Sequence, residues 1–292
     1  MIKRIIPIAL SLVLFMSGCS STKKDNNNVA EKEEVTYSLT YSNLIDNETK
    51  DEVKNTLIQN KIDEKQADQF IKLVNEYNSI SDVEKIKTSK PGYTTINDAQ
   101  VPYDEIYLND KWTNVEYIDY NCRLTAFTIF KDYINSQGQV NDENGNLIFD
   151  INAMENNPVS NFTQEDIEQY INLYTAVSVE GIEDISEFPQ AIMKEWEKRK
   201  ISFGDSKEVS MISGFVHYPD EKEMFIGHVG ICTETSDGVL FIEKYGQNLP
   251  IQVSKFNNKS EIKAYLMNRL DITFEDDKTT SKPIIMENDK LL

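Results

Sequence analysis

Cysteine, histidine, long apolar runs and clustered basic charge are all scarce in this 292-residue chain. With three cysteines and two histidines, thiol and imidazole chemistry is confined to a few positions. Two histidines without a close thiol pair offer no zinc site. No glycine-rich phosphate loop and no serine-nucleophile elbow occurs, so no cofactor is expected. Thirty basic residues face 49 acidic ones, a formal charge of −19 with no basic stripe. Such a surface repels nucleic acid and anionic lipid alike, and nucleic-acid binding is not expected. There is no internal repeat.

The one long apolar run, Ile5 to Phe15, follows Lys3 and Arg4 and is broken only by Pro7 and Ser11. It is too short for a comfortable membrane span and reads as a secretory signal. It closes on Met16-Ser17-Gly18-Cys19, which resembles the bacterial lipobox with methionine where leucine is usual. The resemblance implies cleavage before Cys19, lipidation of its thiol, and a protein held at the outer face of the cytoplasmic membrane. The alternative is ordinary secretion with Cys19 free. Removing residues 1–18 leaves 28 basic against 49 acidic residues, a charge of −21. Residues 19–36 are polar and lack aromatics, the composition of a flexible tether, and residues 37–292 form a single domain.

That domain reads as helical first and stranded later, an α+β class. Helices are expected over 48–59, with Asn47 as cap, and over 64–77. The stretch 88–112 has little periodicity and reads as a long loop. An apolar stripe begins directly after Cys122, with Asp119 or Asn121 as cap. Asn144-Gly145 suggests a tight turn, since Asp142 to Asn146 does not fit a calcium loop. Further helices follow over 163–177, opened by Thr163 with Asp166 three residues on, and over 187–200. Strands are expected over 209–217, 224–233 and 239–245, with 251–253 as an edge strand. A helix over 259–269 and a loosely held polar tail from Glu275 complete the chain.

Cys122 would lie in the first turn of its helix, where unpaired N–H groups and the helix dipole stabilise a thiolate. His228 opens a strand. Alternation places His228, Gly230 and Cys232 on one face, with Gly230 leaving space beside the imidazole. If Asp237-Gly238 is a two-residue loop, Gln247 stands opposite His228; a four-residue loop puts Tyr245 there instead. In either register Glu243, Tyr245 and Gln247 share the histidine's face, so a carboxylate or amide can orient the imidazole.

Asn121-Cys122 before an apolar helix, then Gly227-His228-Val229-Gly230-Ile231, then Leu240-Phe241-Ile242-Glu243, is similar to the papain-like superfamily of NlpC-type cell-wall amidases and endopeptidases. The resemblance implies a papain-like fold, with a helical N-terminal half and a C-terminal antiparallel β-meander. It makes Cys122 the nucleophile, His228 the base, and Glu243 (or Gln247) the orienting residue. The Cys122 N–H, with a donor such as Asn121 or Tyr120, would stabilise the oxyanion. Peptidoglycan stem peptides are the implied substrate. The departures are Arg123 in place of a small residue, Glu243 in place of histidine, asparagine or glutamine, a longer hairpin and a large helical insert. The whole chain also looks like a family of Gram-positive lipoproteins of unknown function, a match that carries no activity.

Blander readings stand beside these. With Cys19 lipidated, Cys122 and Cys232 could pair in an oxidising compartment. Cys232 lies about 13 Å along the strand from His228, so a thiol near the imidazole should not also reach it. The fold would then serve as an inactive surface lipoprotein that binds a ligand or partner. His217 reads as surface structure, Trp196 as helix packing, and Glu183-Asp184 as solvated charge.

Overall fold

Apolar stripes on the helices and alternation along the strands sort the chain into a large antiparallel sheet with helical layers and a separate two-stranded ladder. The computed structural model describes residues 38–292, except 139, 141–144, 218–221, 272 and 274–280. The signal segment, Cys19 and the tether lie outside the described residues, as does Asn144 of the expected turn; Gly145 takes the left-handed φ of +66° that such a turn needs.

In order, the elements are β1 (Leu39–Ser42), α1 (Asn47–Gln59), α2 (Glu64–Ile80), β2 (Thr94–Ile96), α3 (Glu105–Trp112), α4 (Cys122–Phe130) and β3 (Ile134–Asn135). They continue with α5 (Ile148–Asn156), α6 (Gln164–Tyr174), β4 (Val177–Ser178), α7 (Phe188–Lys198) and β5 (Ser202–Phe203). The last third is β6 (Val209–Val216), β7 (Glu223–Thr235), β8 (Gly238–Lys244), β9 (Ile251–Phe256), α8 (Lys259–Leu270), β10 (Ile284–Glu287) and β11 (Lys290–Leu291).

The caps follow local chemistry. Asp46, rather than Asn47, caps α1 by accepting from Thr49 N. Asn121 caps α4 by accepting from Leu124 N, and Thr163 and Asp166 close a reciprocal capping box on α6.

The main sheet has the path β11-β10-β6-β7-β8-β9-β1-β2, with β4 paired to the start of β7. The meander β6 to β9 is its centre. Three sequence expectations change here. The stretch 88–112 is not a loop throughout: it holds β2, which pairs with β1, and α3. β9 is an interior strand, because β1 pairs with its outer side. The tail is not loose throughout: Ile284, Ile285 and Met286 are buried, and β10 pairs with β6.

Alternate strand residues feed two apolar layers. One joins Val229, Ile231, Leu240 and Ile242 to α1, α2 and α4 to α7. The other joins Cys232, Phe241 and Ile285 to α3 and α8. Trp196 packs in the first layer as expected. His217, by contrast, is buried, its ring edge-on to Phe188 at 5.0 Å.

Candidate functional site

The β6–β7 ladder slips by one residue between Gly214↔His228 and Phe215↔Ile226, which leaves Gly227 as an extra residue. The bulge reverses the alternation of β7. Met224 and Ile226 face the same apolar layer as Val229 and Ile231, and His228 turns to the other side with Gly230 and Cys232.

The β7–β8 hairpin turns on Ser236-Asp237, with Thr235 opposite Gly238, Cys232 opposite Phe241 and Gly230 opposite Glu243. Continued outward, this register sets position 245, not 247, opposite His228. Gln247 is therefore corrected: it lies exposed in the turn beyond β8. The space above Gly230 is not open either. A Cβ there would stand 2.6 Å from Phe241 Cζ and 2.7 Å from Ile242 O.

Glu243 is diagonal to His228, and its Oε2 lies 2.5 Å from His228 Nε2. That contact leaves Nδ1 for the thiol. Cys122, first residue of α4, lies close enough to the His228 imidazole and the Val229 N–H for both to favour its thiolate. Burial would push the thiol up, but His228, Arg123 and the Val229 N–H together hold it below its ordinary value. Burial and the Arg269 guanidinium press the imidazole down, yet Cys122 and Glu243 bring it above 6.5. Burial would raise the Glu243 carboxyl; Arg269 first, then His228 and Tyr265, keep it low. The three groups favour a thiolate beside an imidazolium, oriented by a carboxylate. Such a pair can attack an electrophilic carbon and return a proton to a leaving group.

Cys122 and Cys232 are free thiols. Cys232 is paired opposite Phe241 two positions deeper than Gly230, and burial pushes it up to about 12.

Asn121 and Tyr120 take other roles than side-chain oxyanion donors. Asn121 Oδ1 caps α4 and its Nδ2 donates to Asp150 Oδ1 at 2.5 Å. Tyr120 is buried in the apolar core, its ring stacked on Phe162. The first-turn N–H groups of α4, Cys122 among them, are the donors such a helix end supplies.

Several participants had no sequence signal because their contacts are long-range. Asp150 of α5 accepts from Asn121, from Arg123 Nη2 (2.7 Å) and from the Tyr170 hydroxyl (2.8 Å), so one buried carboxylate holds the residues on both sides of Cys122. Arg269 of α8 donates to Glu243 Oε2 at 2.6 Å, and Tyr265 donates to Oε1 at 2.7 Å. Gln252 of β9 donates to the same Oε1 at 3.3 Å.

Cys122 is 9% exposed. Clefts lie away from it: one of about 530 Å³ is lined in part by Gln137, Glu168 and Asn172. Another, of about 720 Å³, is lined in part by Ile182, Gln190 and Lys194.

Residues 40–292 match the family described as DUF4300, a domain of unknown function, and the chain belongs to that family. No curated protein and no solved structure matches it.

Proposed function

We propose that this member of the family is a lipid-anchored, extracytoplasmic thiol hydrolase of papain-like, NlpC-type fold that cleaves amide bonds. The observation that carries the reading is the meeting of Cys122, at a helix N-terminus, with the His228 imidazole, whose far nitrogen rests on buried Glu243. The α+β order, with the cysteine helix packed on β7 and β8, supports the fold assignment. The apolar run and Met16-Ser17-Gly18-Cys19 support the location. Peptidoglycan stem peptides are the substrate class that location and resemblance favour.

In this scheme the Cys122 sulfur attacks the amide carbonyl carbon, and the Cys122 N–H stabilises the oxyanion. His228 gives its proton to the departing nitrogen as the C–N bond breaks, leaving a thioester. Water, deprotonated by His228, then attacks the thioester; the carboxylic acid leaves and the proton returns to the thiol–imidazole pair. Glu243 holds the ring through both steps.

The deciding experiment follows muropeptide cleavage by residues 37–292 beside the Cys122→Ala variant. Cleavage by the first and none by the second is expected; undiminished cleavage by the variant would dispose of the reading.

The low exposure of Cys122 favours a second reading, a surface lipoprotein of the same fold that binds a ligand without turnover. It gains ground if iodoacetamide labels Cys122 in the folded protein only as pH approaches the free-thiol value of about 8.5.

A further inference from the structure

Glu243 introduces a difficulty for the proposed chemistry. A bare carboxylate against an imidazole favours the charged ring, and a base that holds its proton too firmly cannot hand it to a leaving group. The α8 helix supplies the counterweight. Arg269 Nη1 donates to Glu243 Oε2, the oxygen that also faces His228, and lies 3.3 Å from His228 Nε2. Both nitrogens present hydrogens to one oxygen, so each weakens the hold of the other. The guanidinium is itself fixed: Nη2 donates to the Tyr245 carbonyl, the plane lies 3.7 Å over the Tyr245 ring, and the side chain is 12% exposed.

The other ionisable groups around His228 do not substitute for it. Cys122 comes from α4, followed by Arg123, whose charge is met by Asp150 of α5. Tyr174 of α6, Tyr265 of α8, Tyr245 beyond β8 and Tyr103 before α3 are all raised by burial and stay neutral near pH 7. Glu243 and Arg269 are thus the charge pair that bears on the far side of the ring.

We propose that Arg269 is a positioning residue that acts through Glu243. By occupying half of Oε2 and offsetting the carboxylate charge, it lets Glu243 orient the imidazole as a neutral amide would, without trapping its proton. The role rests on the thiol-hydrolase reading, but its consequence for the ring is measurable without any substrate.

The experiment is an NMR titration of the His228 ring in residues 37–292, its signal identified by its loss in His228→Ala. Arg269→Met should raise the His228 midpoint by roughly one unit or more, Glu243→Gln should lower it, and the double variant should return it toward the parent value. Arg269→Lys, which keeps the charge, should stay close to the parent. Should Arg269→Met alone fail to fold, the double variant, Glu243→Gln and Arg269→Lys still decide the matter. A parent-like midpoint in folded Arg269→Met, or a double variant that stays at the Glu243→Gln value, would overturn the role. Iodoacetamide labelling of the same samples separates the two ideas: an inert Cys122 with the expected His228 shifts removes the hydrolase reading and leaves the Arg269–Glu243 coupling standing.

Discussion

Asp119 and Lys244 form a fully buried ion pair of 2.7 Å, and each is a near neighbour of the candidate triad. Asp119 stands three residues before Cys122 and Lys244 directly follows Glu243. The pair ties the approach to α4 against the end of β8. Lys244 also lies 3.3 Å from the Tyr77 ring centroid, and Asp119 accepts from Asn248 N. Burying both charges is costly, and removing one partner alone should cost about 3–5 kcal/mol.

The pair gives a prediction about stability and pH. Burial lowers Lys244 from 10.5 to about 8 despite Asp119. Between those values the unfolded chain holds a proton that the folded one has released. This contribution to stability is therefore full above 10.5 and lost as pH falls through 8. Urea midpoints at pH 7.5 and 10 should rise more for the parent than for a Lys244→Met/Asp119→Asn double variant. Parallel changes in the two proteins would contradict this assignment.

Cys122 should label with iodoacetamide at a lower pH than an ordinary thiol does. The sign follows from the lowered thiol and the raised imidazole, each of which favours the charged form of the other. His228→Ala leaves burial unopposed by the imidazole and should slow labelling at pH 7 about tenfold or more, since one unit is a factor of ten. Cys232, held near 12, should stay unlabelled until the protein unfolds. Peptide mass spectrometry reads both sites at once.

Asp150→Ala should release both flanks of the nucleophile. It leaves Arg123, whose side chain is 18% exposed, without its carboxylate, at a cost of about 3 kcal/mol or less, and frees Asn121. Asp150→Asn, which keeps an acceptor, should be milder. Guanidinium midpoints measure the stability loss, and Cys122 labelling at pH 7 should fall in the same order. Equal behaviour of the two variants would argue against a clamp.

Gly230→Ala places a methyl against Phe241 and the Ile242 carbonyl, and the backbone oxygen cannot step aside as a side chain can. A loss of about 1–3 kcal/mol is expected by thermal unfolding. An unchanged melting temperature would mean that the hairpin flexes more freely than its register implies.

The elements visible in the sequence are those that carry their own pattern. α1, α2, α6, α7 and α8 have apolar stripes or caps, and α4 announces itself through Asn121 and the run from Leu124. β6, β7 and β8 were legible as apolar segments. α3 and α5 were not, because few of their positions face the core: α5 buries Asp150, Ala153 and Met154 while Ile148 and Phe149 are exposed. β10 is four residues within polar surroundings and needs β6 to define it. At the site, the Cys122, His228 and Glu243 positions follow from local signals. Gln247 was misplaced because the turn uses Ser236-Asp237, and one residue of register decides which side chain meets the imidazole. Arg269 and Asp150 act across 26 and 29 residues, a distance at which no spacing rule operates.

The strand order also bears on when the protein can finish folding. β6 lies between β7 and β10, and β10 follows the whole β6–β9 meander and α8 in the sequence. A growing chain that has already made β6 to β9 still lacks the strand that covers the other side of β6. It lacks α8 as well, and with it the arginine that tempers Glu243. A fragment ending before residue 259 would therefore carry Cys122 and His228 without the helix whose Arg269 and Tyr265 hold Glu243.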